Sequence, residues 1–242
     1  MKKVFLSLMV FTLSLNLFAM SDDNVKVQLS FDKNYDSTQV DSKYLKVVQE
    51  NWRFPSSTTT GKAQKKKFVA ALNLLEEVLN SEEFKQKVLA NETVLGMDDQ
   101  GNEIKERRFG KNYLWRDSQN LLSNEDIYQI IMDGNEKMRP GTEGEMNFNS
   151  WVKVCKWYQK AGTWCRKVIG STDPSNSKWI KLNWKYYSYF DTPKMINNMT
   201  HEWLHLLGFL HGPAATMRQE VPYVVGKIAE DVARSIIAKD KE

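Results

Sequence analysis

All three histidines of this 242-residue chain fall within one eleven-residue stretch, His201-Glu-Trp-Leu-His205-Leu-Leu-Gly-Phe-Leu-His211. On a helix, His201 and His205 lie four residues apart, about 40° round the axis, so both imidazoles leave the same face. Two nitrogen donors so placed suit a tetrahedral Zn²⁺, and Glu202 beside them is placed to act as base on a water that the metal activates. Gly208 can take positive φ, end the helix and turn the chain back, so that His211 supplies a third ligand. Three protein ligands leave one position open, which is the mark of a catalytic site with a single zinc ion rather than a structural one.

The helix that carries the first two histidines should begin at Asp191-Thr192-Pro193, a capping residue followed by a proline at the first helical position, and run to about Leu207. Ile196, Met199, Trp203, Leu206 and Leu207 share one side of it, and Asn197, Asn198, His201 and His205 share the other. One face is therefore anchored in a core and the other is free to line a cleft. A last amphipathic helix carries Val225, Ile228, Val232 and Ile236 at helical spacing.

Upstream, residues 62–79 have the apolar spacing of a helix (Phe68, Ala71, Leu72, Leu75, Val78, Leu79). Ser81 should cap a second helix, with Glu82 and Glu83 in its first turn. Ser123 and Asp126 form a capping-box pattern that opens a helix to about Met132, with Gly134 beyond it. Residues 91–121 are turn-rich and offer at most a hairpin around Gly101. A short strand is expected over Val25–Phe31, and a short helix around Tyr44 to Trp52. From Glu145 to Phe190 the pattern changes to strands, with five of the eight tryptophans (151, 157, 164, 179, 184). The run Trp179 to Tyr189 is the longest β-prone segment.

Composition limits the function classes. With 41 % apolar and 12 % aromatic content the chain can bury one substantial core. The net charge is +4, and two of those charges, Lys2 and Lys3, lie in a leader-like segment. Nucleic acid is accordingly not an expected partner. Met1-Lys-Lys, the apolar run Val4 to Phe18 and the small residue Ala19 read as a signal peptide over residues 1–19. The expectation is an exported protein, periplasmic or secreted, with no stable membrane anchor after cleavage. Cys155 and Cys165 are the only cysteines; in an oxidising compartment they would pair and close a short loop between two strands, and otherwise they are two buried thiols.

The motif HEWLHLLGFLH resembles the extended zinc motif of the metzincin clan of metalloendopeptidases. The likeness is specific over 201–211 and architectural over about 60–240. The Asp-Thr-Pro helix entry and the Glu-Val-Pro-Tyr-Val-Val-Gly run at 220–226 resemble uncharacterised exported bacterial proteins with the same motif. The resemblance implies an α+β fold. A twisted mixed sheet with two long helices would stand above the zinc cleft, with a small, mostly helical C-terminal lobe beyond it. The catalytic domain would cover 61–242, its upper subdomain reaching to about 208 and its lower lobe 209–242. Residues 20–60 would be an N-terminal extension, a pro-segment or the first elements of the domain.

Such a protein would be a monomeric hydrolase of peptide or protein substrates, with His201, His205 and His211 as metal ligands and Glu202 as general base. Its edge strand, at about 178–189, would bind the peptide backbone. The clan also carries a methionine in a tight turn beneath the zinc. Met217 is the only candidate and lies closer to the third histidine than usual. Where some members use a metal-directed tyrosine two residues past that methionine, Gln219 stands here; Tyr223 is the next tyrosine able to face the cleft. Two other functions stay open: an exported binding module in which zinc staples the fold, with a carboxylate such as Asp231 closing the site, and a peptidase acting on cell-wall peptides.

Overall fold

The computed structural model describes residues 27–28, 44–49, 52–53, 59–110, 113–114, 122–136, 141–155, 162–173, 179–212 and 219–241. The leader at 1–19, Trp157 and Met217 lie outside these residues. The fold is α+β. Its frame has two parts, each a small sheet. Strands β1 (Val27–Gln28), β2 (Lys46–Gln49) and β7 (Glu145–Asn147) form one part, and β3 (Trp52–Arg53), β8 (Ser150–Lys153), β10 (Ile180–Asn183) and β9 (Gly170–Thr172) form the other, in those spatial orders. Pairs β2·β7, β3·β8 and β8·β10 are parallel, whereas β9 runs antiparallel to β10 and stands at the edge. Phe148 N–H donates to Val48 O at 2.7 Å, between β7 and β8, and keeps the two parts in register.

Helix α1 (Thr59–Leu79) buries the stripe anticipated for it: Phe68, Ala71, Leu72, Leu75, Val78 and Leu79 are fully or almost fully enclosed. It packs against α6 (Thr192–Leu206) and α7 (Val221–Lys239). Its C-terminal end is tied to β2 by polar groups. Glu76 accepts from Tyr44 Oη at 2.8 Å and from Val47 N at 2.7 Å, while Asn80 exchanges two bonds of 2.8 Å with the Leu45 backbone. These bonds account for a correction: where a short helix is expected around Tyr44 to Trp52, the described residues form the strands β2 and β3. Leu45, Val47 and Val48 are buried beneath α1, and Lys46, Val47 and Val48 pair with a strand about a hundred residues away, so long-range pairing overrides a weak local preference.

Three local signals take the form that the sequence implies. Ser81 accepts from Phe84 N at 3.1 Å and starts α2 (Glu82–Leu89). A complete Ser123/Asp126 capping box opens α3 (Asn124–Asp133), which stops at left-handed Gly134 (φ +61°). Strands β4 (Thr93–Met97) and β5 (Glu103–Glu106) form the hairpin around Gly101, whose turn is held by Asp98 accepting from Gln100 N and Asn102 N.

The aromatic stretch departs from its expected form. Strand β10 stops at Asn183, whose side chain accepts from Lys185 N and caps a single helical turn, α5 (Trp184–Tyr187). Tyr187 is thereby turned into the core, with its ring 6.1 Å from that of Phe68. The segment 178–189 is therefore not the edge strand: β10 lies inside the sheet and the shorter β9 takes the edge. Cys155 and Cys165 are bonded, with Cα atoms 6.0 Å apart. The bridge joins the end of β8 to α4 (Thr163–Lys167), a helical turn rather than a second strand.

Helix α7 lies along α6 and contributes Val221, Val225, Ala229, Val232 and Ala233 to the same core as α1 and the sheet. Among the described residues no helix is long and apolar enough to cross a membrane.

Candidate metal centre

Helix α6 is built from its cap. The Asp191 carboxylate accepts from Lys194 N at 2.9 Å, and Thr192 and Pro193 fill the first two helical positions, so the proline stands one place later than expected. Ile196, Met199, Trp203 and Leu206 bury one face, and the Trp203 indole N–H donates to the enclosed Glu136 carboxylate at 3.0 Å. That anchoring fixes the rotation of the helix, so His201, Glu202 and His205 emerge together on the side away from the core.

The helix ends where the motif requires. Gly208 has φ +104°, a conformation that L side chains rarely adopt. Beyond it β11 (Phe209–Leu210) pairs antiparallel with β6 (Tyr113–Leu114), which sets the direction of the chain as it reaches His211. His201, His205 and His211 then converge, with one potential ligand atom of each within 4.8 Å of the others.

Each imidazole is held from behind. His205 Nδ1 lies 2.6 Å from Phe209 O and His211 Nδ1 lies 2.9 Å from Glu220 Oε2. Neither oxygen can donate, so both Nδ1 atoms carry the proton and each Nε2 is left with a lone pair. The Pro222 backbone is the hydrogen-bond partner of the His201 ring. Carboxylate- or carbonyl-backed imidazoles of this kind are the usual outer support of a metal site. Burial holds the His201 pKa down at about 3, with the neighbouring His205 and His211 adding to the shift, and burial likewise holds His205 at about 4. Both rings are thus neutral donors at physiological pH. The donor set, its tautomers and its open side all fit a Zn²⁺ ion.

Glu202 is only 4 % exposed, and burial pushes its pKa up to about 7 against the opposing bonds from Thr172 and Asn198. Thr172 Oγ1 donates to Glu202 Oε2 at 3.0 Å. Tyr187 Oη donates to Asn198 Oδ1 at 2.7 Å and fixes that amide in turn. Strand β9 passes so close that a Cβ on Gly170 would meet Glu202 Oε1 and stand 2.8 Å from both Cδ and Cγ. The absent side chain at 170 is what leaves room for the carboxyl.

Tyr223 enters from the first turns of α7, its ring centroid 4.5 Å from that of His201 and 5.0 Å from that of His211. Burial, and then Glu220 and Glu202, raise its pKa, so the phenol keeps its proton. Helices α6 and α7 approach closely at Gly226, where a Cβ would lie 2.8 Å from Asn197 O. The centre opens into a cavity of about 630 Å³ walled by β9, α6 and α7.

The structure therefore brings together His201, Glu202, His205, His211 and Tyr223, with Gly208 in the required conformation. Asp231 stands apart, exposed and paired with Lys227 at 2.8 Å, and does not join the histidine group. Glu220, Thr172 and Gly170 are contributors that the motif does not announce. Glu220 alone had a usable signal, as the one carboxylate between His211 and Glu230. Thr172 and Gly170 reach the site only because β10 brings β9 beside α6. Compared with family models, curated proteins and solved structures, the chain matches none.

Proposed function

We propose that this chain is an exported zinc metallopeptidase of metzincin type. The observation that carries the reading is a triangle of three back-supported imidazoles with a buried carboxyl, its pKa near 7, beside them in an open cleft. When bound there, zinc supplies Lewis acidity that acidifies water and polarises a carbonyl. Glu202 takes the proton of the attacking water on its carboxylate and delivers it to the leaving amine; a pKa near neutrality suits both transfers. Tyr223, protonated and next to His201, donates to the oxyanion that develops on the scissile carbonyl.

The substrate backbone adds as a strand to the edge of β9, replacing the segment 178–189 in that role. The Cys155–Cys165 bond agrees with an oxidising compartment, and so with export. A closed structural site has less support, since among the described residues no fourth ligand joins the three histidines.

The test is Glu202→Gln in zinc-loaded protein, assayed on an unfolded protein substrate. Hydrolysis should fall by roughly 10²–10⁴-fold while zinc content is unchanged. Full activity in that variant would remove Glu202 from the chemistry. Absence of hydrolysis by the zinc-loaded wild type on any unfolded protein would favour the binding module.

A further inference from the structure

We infer, on the peptidase reading above, that the cleft selects peptides carrying a carboxylate two or three residues from the scissile bond, received by Lys194, Lys227 and Lys167. Among the described residues that line the cavity, these three lysines are the ammonium groups and Glu202 is the one carboxylate. Since Glu202 is committed to proton transfer, every other charged side chain among the described lining residues is basic.

Two of the lysines are held in place. Lys194 Nζ lies 3.5 Å and Lys227 Nζ 3.8 Å from the same oxygen of Glu230, a nearly enclosed carboxylate that also accepts from Asn197 Nδ2 at 2.7 Å. Glu230 is not part of the cavity wall. It gathers the two ammonium groups from behind, while their side chains stay 45 % and 57 % exposed, with donors to spare for a second acceptor. Asp231 and Arg234 complete that cluster: Lys227 pairs with Asp231 at 2.8 Å, and Arg234 pairs with Glu230 at 2.8 Å and with Asp191 at 3.0 Å. By count the cluster is neutral, so what it presents to the cavity is oriented donors rather than a large net field. Lys167 adds a third ammonium group. It lines the cavity three residues before Gly170 and makes no ion pair with a described residue.

The spacing sets the subsite. Lys194 precedes His201 on one face of α6 by two turns, roughly 10 Å. Lys227 follows Tyr223 on α7 by one turn, roughly 6 Å. An extended substrate advances ~3.3 Å per residue, so these ammonium groups stand level with the second or third residue from the reacting carbonyl.

The experiment uses full-length, zinc-loaded protein carrying E202Q, so that peptides bind without being cut. Fluorescent peptides with Asp or Glu at the second and third positions on either side of a central bond are compared by anisotropy with their Asn and Gln counterparts. The acidic set should bind roughly three- to tenfold tighter at low salt, and 0.5 M salt should shrink the advantage. Lys194→Glu, Lys227→Glu and Lys167→Glu combined, or the milder Lys→Met changes if charge reversal loosens the fold, should erase it with zinc content unchanged. Equal affinity for the two sets overturns the inference. So does an advantage that survives in the lysine variants, which would place it on the metal itself. Wild-type protein separates this from the reading beneath it. Cleavage of neutral peptides as fast as acidic ones sinks the inference and leaves the peptidase standing. Lysine-dependent binding of acidic peptides with no cleavage sinks the peptidase and leaves the carboxylate subsite.

Discussion

Replacing Glu220 by Gln changes one atom in a side chain that is fully buried and touches no substrate, yet it should weaken zinc binding. The two carboxylate oxygens serve two different donors: Oε2 accepts from His211 Nδ1 and Oε1 from Gly212 N, each at 2.9 Å. A glutamine offers one oxygen, so one of those N–H groups must face an NH₂. Glu220 also occupies the N-cap position of α7 without making a side-chain cap bond, so its acceptors are committed to the metal loop instead. A hydrogen bond to a charged group contributes about 1.5–3 kcal/mol, and ~1.4 kcal/mol is a factor of ten in affinity. Zinc should therefore bind roughly 10–100-fold more weakly, the range seen when outer-shell partners are removed. The assay is competition for zinc against a chelator of known affinity, with Glu136→Gln as control. Glu136 is equally enclosed and accepts from Trp203 Nε1 and Asn147 N, but touches no histidine. A Glu220→Gln affinity within about twofold of wild type would refute the reasoning; so would an equal loss in Glu136→Gln.

Two further outcomes depend on Glu202. Gly170→Ala should push its carboxyl out of position, because the new Cβ falls 2.8 Å from Cδ and Cγ; turnover should drop by at least about tenfold with zinc retained, and an unimpaired kcat would contradict the close approach of β9. In metal-free protein the rise of the Glu202 pKa from 4.5 to about 7 means that the folded state keeps its proton longer than the unfolded one. Ionisation then costs stability progressively as pH climbs from 4.5 to 7, and Glu202→Gln escapes that cost. The variant should gain nothing from this source at pH 4.5 and up to roughly 3 kcal/mol at pH 8, read from urea unfolding at the two pH values. A gain that is the same at both would show that burial does not set this pKa. His201 and His205 titrate in both proteins and cancel in the difference.

What could be read from the sequence was what is encoded within about a dozen residues. The caps at Ser81, Ser123 and Asp191 and the turn at Gly101 are local hydrogen-bond chemistry, and each forms as its residues imply. The histidine motif is equally local, because helix geometry, Gly208 and His211 define the triangle almost unaided. The departures all involve partners far along the chain. Residues 46–49 become a strand because Glu145–Asn147 pairs with them and Glu76 accepts from their backbone. Trp184–Tyr187 turns helical because Asn183 caps it and the core near Phe68 takes Tyr187. Gly170-Ser-Thr has little strand preference of its own, and is an edge strand because β10 pairs with it.

The same distinction bears on why the centre exists in this form. Every perturbed group in it is shifted against its charge: burial holds His201 and His205 neutral and pushes Glu202 toward neutrality. A fold selected only for stability would not bury two imidazoles and a carboxyl where none of the three can ionise freely. The arrangement is costly, and it is held by features with little other use: the missing side chains at Gly170 and Gly226, the β11·β6 pairing, and a helix N-cap carboxylate committed to His211. Imidazoles that burial keeps neutral, as at His201 and His205, are poor hosts for a proton, and with acceptors orienting them from behind they are good hosts for a divalent cation, which needs its ligands deprotonated. The cost in the metal-free protein and the fitness of the histidine group to hold a metal ion thus have one source, and Glu202 draws its near-neutral pKa from that same burial.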